Sequence, residues 1–177
     1  MKSFIWVLGT SGVGKETLVR SMAADTNHPV AKLLALTKPA VSLTSIAIRG
    51  HQGRELLDLP SIFIQEIEEQ GANELLIKWQ GKDFENGNRI EDLRSARPND
   101  KHVILYLTAS LSTLQEHVHS RWPVETWREW DHDGDIKWCL DLTQNMLDNY
   151  ELISLEVTPE GEYRLVDFPG NASGEKR

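Results

Sequence analysis

The chain has 177 residues, enough for one compact domain that can enclose a site. Its 40% hydrophobic and 26% charged composition excludes disordered, collagen-like and coiled-coil classes. Nineteen basic against 27 acidic residues leave a net charge of −8, which repels a duplex phosphate backbone and argues against broad nucleic-acid binding.

The longest apolar runs, residues 4–8 and 103–107, fall far short of the roughly 18 residues a bilayer span needs, so no membrane partner is expected. No basic start, apolar middle and small-residue cleavage site opens the chain. Cys139 is the single cysteine, which excludes an internal disulfide and a thiolate metal site. A cytoplasmic chain is the expectation.

Phe4, Ile5, Trp6, Val7 and Leu8 form a continuous apolar run ended by Gly9, the pattern of a strand buried on both faces of a parallel sheet. Leu18, Val19 and Met22 then recur at helical spacing, so the first unit reads strand, glycine loop, helix. Residues 41–48 are β-branched and predict a second strand. Asp58, Leu59 and Pro60 open a helix with Phe63, Ile64 and Ile67 as its buried stripe, Glu66, Glu68 and Glu69 on its solvated face, and Gly71 as its stop.

Leu75, Leu76 and Ile77 predict a third strand, Ile90 with Leu93 a short helix, and residues 103–107 a fourth strand. Ser112 and Gln115 have the spacing of a capping box for a helix carrying Leu114 and Val118, limited by Pro123. Four of the six tryptophans, Trp122, Trp127, Trp130 and Trp138, then lie close together with Arg121 and Arg128, and residues 121–138 read as a lid-like insertion. Asp131, Asp133 and Asp135 do not fit a calcium loop, and Asp135 reads as the N-cap of the next helix. His117 and His119 point to different helix faces and read as non-ligands.

That next helix would carry Cys139, Leu142, Met146, Leu147 and Tyr150 on one face. Residues 153–157 and 163–166 would then pair as a hairpin around Thr158, Pro159, Glu160 and Gly161. Alternating strands and helices predict a three-layer α/β/α domain over residues 1–170, with a mostly parallel sheet, an antiparallel C-terminal hairpin and a flexible tail at 171–177.

Gly9, Thr10, Ser11, Gly12, Val13, Gly14 and Lys15 fit G-x-x-x-x-G-K, between a buried strand and a helix. Phosphate oxygens need several converging donors without side chains in the way; glycines let backbone N–H groups wrap the anion, and the helix N-terminus adds partial positive charge. Lys15 would reach the β- and γ-phosphates of a nucleoside triphosphate. Glu16 stands where Ser or Thr normally ligates magnesium, and it also reads as a solvent-facing carboxylate favoured by the helix dipole. Thr17 follows.

Gly14, Lys15, Glu16 and Thr17 resemble the Gly-Lys-x-Thr ending of P-loop nucleoside monophosphate kinases such as adenylate kinases. The resemblance is specific over residues 4–24 and architectural beyond them. It implies a kinase using ATP and Mg2+, in which the metal is held largely by nucleotide and water, with Thr17 as a metal-side hydroxyl. A second strand would carry a metal-orienting acid. Asp83 is the first choice and Asp58 the second; each also reads as a loop or cap residue. The resemblance places Arg121 and Arg128 in a lid that gathers phosphoryl charge, and Arg49 where an acceptor phosphate could be held. A surface ion-pair role is the other reading for each arginine. The expected function is ATP-dependent phosphoryl transfer to a small-molecule acceptor, a nucleotide or nucleoside. The alternative is a nucleotide-dependent switch with little or no turnover.

Overall fold

The computed structural model describes residues 1–43, 59–79, 89–123, 132–144 and 150–169. Their elements, in chain order, are β1 (Ser3–Gly9), α1 (Lys15–Ala24), α2 (Pro29–Leu33), β2 (Pro39–Leu43), α3 (Leu59–Glu69) and β3 (Glu74–Lys78). There follow α4 (Arg89–Ala96), β4 (Lys101–Thr108), α5 (Leu111–Arg121), α6 (His132–Gln144), β5 (Glu151–Val157) and β6 (Tyr163–Leu165). Among the described residues, no helix is long and apolar enough to cross a membrane.

The strands form one sheet in the order β2-β3-β1-β4-β5-β6. β1 and β2 both run parallel to β3, with Ser3 and Pro39 each opposite Glu74. β5 and β6 are antiparallel, with Val157 opposite Tyr163. The architecture is therefore α/β with a mostly parallel sheet and a C-terminal hairpin, as the alternation of apolar runs implies.

The backbone divides into two compact units, Met1–Val7 with Glu16–Ile104, and Leu8–Lys15 with Leu105–Arg177. In the first, Phe4, Trp6 and Val7 are fully buried, as are Leu18, Val19 and Met22 of α1. Burying an aliphatic or Phe side chain of this kind contributes about 1.5–3 kcal/mol. The Trp6 ring meets Phe63 edge-on at 5.6 Å and Trp79 at 5.2 Å. α3 ends in a Schellman motif, the Gly71 amide donating to Glu68 O and the Ala72 amide to Ile67 O, each at 2.9 Å.

In the second unit, Tyr106 of β4 packs edge-on against Phe168 at 5.2 Å. The hairpin turn is closed by the Gly161 amide donating to Thr158 O at 2.9 Å. Leu114 and Val118 are buried on α5, as their helical spacing predicts.

Several local expectations are corrected. α5 is capped by Ser110, whose Oγ accepts from the Thr113 amide at 3.2 Å, so Ser112 lies inside the helix. Both serines precede the same apolar stripe, and only the backbone decides which one is extended. α6 is already helical at His132, so Asp135 is not its N-cap. The helix absorbs the end of the segment read as an insertion. Glu66 is half-buried, with Oε2 fully enclosed and lacking a hydrogen-bond partner, while Glu68 and Glu69 are exposed. α2 was not anticipated; its short apolar stretch is opened by Pro29 and capped by His28, whose Nδ1 accepts from the Val30 amide at 3.2 Å.

Candidate phosphate-binding site

The buried run of β1 delivers Gly9 to the end of the strand, and α1 begins six residues later at Lys15. Gly9 has φ of +138°, and a Cβ there would stand 2.4 Å from the Leu107 carbonyl oxygen. Only glycine permits that approach. The Lys15 side chain folds back over the loop, its Nζ donating to Gly9 O and Thr10 O, each at 2.7 Å, and the residue is only 5% exposed. A buried ammonium held on two carbonyl dipoles is a positive charge facing the loop's own backbone.

Two side chains from later in the chain also engage the loop. The Ser11 amide donates to Oδ2 of Asp135 at 2.8 Å, and His117 Nδ1 donates to Gly12 O at 3.1 Å. Asp135 is buried. Near it, burial pushes the Tyr106 phenol far above its usual range, with further contributions from Cys139 and the negative charge of Asp135. The Thr10 hydroxyl oxygen is buried and has no hydrogen-bond partner.

At the next position, the Glu16 carboxylate is not simply solvated. It is paired with Lys78 at 3.0 Å and with Arg20 at 3.0 Å. The Lys78 hydrogen bond, followed by that from Arg20, holds the Glu16 carboxyl below the usual glutamate range. Lys78 is the last residue of β3, where a magnesium-orienting carboxylate would be sought. A protein-held magnesium does not fit these two positions, because one carries an ammonium and the other a carboxylate already neutralised by two cations. Among the described residues, no three His, Cys, Asp or Glu side chains gather to hold a metal ion.

No protein-family model matches the chain, and no curated protein resembles it in sequence. Similarity to solved structures is clear nonetheless. A chain of the PezAT chromosomal toxin–antitoxin system of Streptococcus pneumoniae superposes with a TM-score of 0.54 at 12% identity, covering 97% of this chain and 76% of that one. The likeness is one of fold. A sugar kinase from Janibacter sp. HTCC2649 aligns at 19% identity with a TM-score of 0.43, over 88% of this chain and 86% of that one. A shikimate kinase from Bacteroides thetaiotaomicron aligns at 13% identity with a TM-score of 0.42, over 86% of each chain.

Residues 9–15 run from the end of β1 to the start of α1. Thr17 is exposed on α1, and Arg121 is exposed in the last turn of α5. Arg49, Asp58, Asp83 and Arg128 lie outside the described residues, as do Trp127 and Trp130. Three residues that contact residues 11, 12 and 16 were not singled out for them from the sequence: Lys78 on Glu16, His117 on Gly12 and Asp135 on Ser11. Lys78 carried a readable signal, a charged residue ending an apolar strand beside the Glu16 anomaly. His117 and Asp135 carried none, since neither belongs to a motif.

Proposed function

We propose that this chain is a P-loop phosphotransferase that moves the γ-phosphoryl group of ATP to a small acceptor, a nucleotide or nucleoside, in the manner of the adenylate-kinase-like enzymes. The observation that carries this reading is Lys15, buried at the start of α1 with its ammonium on the Gly9 and Thr10 carbonyls. A triphosphate entering the loop would meet that ammonium and the loop amides, those of Ser11 and of residues 12–17, donors that stabilise charge as it shifts toward the leaving group.

Further roles complete the reading. Arg121 and Arg128 would gather charge on the transferred group, and Arg49 would hold an acceptor phosphate. Asp83 is the candidate carboxylate beyond β3. Any Mg2+ would arrive on the nucleotide's own phosphates rather than on Glu16 or Lys78.

A groove of about 290 Å³, lined among others by Ser110, Thr113, Thr158, Pro159 and Arg164, suits the base. Thr113, which lines the groove, lies one helical turn before His117 on α5, and His117 touches Gly12 of the loop.

A nucleotide-dependent switch is the second reading, favoured by the Asp135 carboxylate on the Ser11 amide and by the ion pair at position 16. One experiment separates the two. Purified protein is incubated with ATP, magnesium and a panel of nucleosides, nucleotides and sugars, and ADP is measured. ADP formed with one acceptor supports the kinase. Tight nucleotide binding without acceptor-stimulated turnover supports the switch, and absence of both removes the loop from function.

A further inference from the structure

Asp135 stands 124 positions after Ser11, yet its Oδ2 takes the Ser11 amide proton at 2.8 Å from the first turn of α6. The carboxylate is 5% exposed, so this is a buried, charge-assisted hydrogen bond rather than a passing surface contact. Ser11 is the third residue of the phosphate loop. Its amide therefore already holds an anion, and that anion belongs to the chain itself.

A single N–H cannot donate at full strength to a carboxylate at 2.8 Å and to a phosphate oxygen in the same direction. Two anions side by side in a buried site also repel strongly, since water is not there to screen them. In the arrangement seen, the adjacent Thr10 hydroxyl oxygen is buried without a partner, so the closed loop leaves one of its polar atoms unsatisfied. That atom is the kind of group an incoming phosphate could engage once the carboxylate has moved.

We propose that Asp135 is an internal anion that occupies the phosphate loop and that a polyphosphate must displace, so that occupancy of the loop is coupled to the position of the first turn of α6. The proposal deepens the phosphotransferase reading and rests on it: it names what regulates entry to that same site. Displacement needs no covalent step. Rotation of the Asp135 side chain, or a shift of the turn that carries it, exchanges one oxygen anion for another on the Ser11 amide.

The test is titration calorimetry with inorganic tripolyphosphate, a probe with neither base nor acceptor, on the wild-type chain, Asp135→Asn, Asp135→Ala and Lys15→Ala. Each is first checked for folding by circular dichroism. Both Asp135 variants are expected to bind tripolyphosphate at least about tenfold more tightly than the wild-type chain, the size of one charge-assisted hydrogen bond gained and one repulsion removed. Asp135→Asn keeps the side-chain shape and decides the matter if the alanine variant fails to fold.

A merely structural Asp135 gives the opposite sign, because losing a buried contact loosens the loop and weakens binding. Equal or weaker binding by Asp135→Asn, with binding by the wild-type chain abolished by Lys15→Ala, overturns the internal anion and leaves the phosphate site standing. No binding by any variant overturns both. Hydrogen exchange gives a second readout: the Ser11 amide should exchange faster in Asp135→Asn without ligand, and unchanged protection counts against the proposal.

Discussion

The Lys78 ammonium lies 3.0 Å from the Glu16 carboxylate, joining the end of β3 to the second residue of α1. In the general P-loop pattern these two positions hold a magnesium-orienting carboxylate and a magnesium-ligating hydroxyl. Here each has been replaced by a charged group that satisfies the other. Binding of ATP is therefore expected to change by less than a factor of about ten when magnesium is removed with EDTA, as read by titration calorimetry. A steeper loss shows that the ion pair opens to admit a metal.

The same pair has a pH signature. Glu16 has its carboxyl lowered by Lys78 and Arg20, so its stabilising contribution is present above the ordinary glutamate range and is lost as pH falls through the lowered value. The carboxylate is 42% exposed, and solvent screening keeps the contribution small. Glu16→Gln should cost no more than about 1 kcal/mol in urea unfolding at pH 7, and progressively less as pH falls through the lowered value.

Lys15 ties stability to chemistry at one atom. Replacement by Ala removes the donor shared by the Gly9 and Thr10 carbonyls and should destabilise the fold by about 1–3 kcal/mol. Phosphoryl transfer should fall by about two orders of magnitude or more in a variant that is still folded. Calorimetric melting and ADP production check the two halves separately, and unchanged turnover removes the lysine from the mechanism.

Two glycines of the loop should respond differently to the same substitution. Gly9→Ala drives a Cβ to within 2.4 Å of backbone at Leu107 and should destabilise the protein by about 3 kcal/mol or more. A Cβ at Gly14 meets nothing within 4 Å, so Gly14→Ala bears only the cost of its φ of +92°, about 1–2 kcal/mol. The added methyl group should nonetheless weaken phosphate binding, because it fills space that an anion would use. Melting temperatures and tripolyphosphate affinity, measured on both variants, distinguish a scaffold glycine from a ligand-facing one.

Glu66 should give pH dependence of the opposite sense. Burial raises its carboxyl above the ordinary glutamate value, the nearby Ser42 hydroxyl opposes that in part, and Glu69 adds a smaller upward push. A folded chain that holds this proton more tightly than the unfolded chain loses stability as pH rises from the ordinary value through the raised one. Glu66→Gln should flatten that part of the stability profile and leave the protein at least as stable at pH 7. A loss of more than about 1 kcal/mol there means that the carboxylate has a partner worth keeping.

The amino-acid order alone was sufficient for β1, the glycine loop and α1, since a continuous apolar run, a G-x-x-x-x-G-K spacing and a 3.6-residue stripe are each local patterns. Burial of Phe4, Leu18, Val19 and Met22 follows from them directly. The strands around Leu75 and Ile104 and the C-terminal hairpin were legible for the same reason: their periodicity is a property of a few neighbouring residues.

What surrounds the loop was decided only in three dimensions. Glu16 and Lys78 are 62 positions apart and Ser11 and Asp135 are 124 apart, and no local pattern records which pairs the sheet order will bring together. Charges on solvent-facing positions look alike in sequence whether they end in water, in an ion pair or on a backbone amide. The chain order carried the glycine–lysine spacing between β1 and α1; packing decided that the Ser11 amide and the Lys15 ammonium are already engaged from within, because a buried polar group left unpaired is costly.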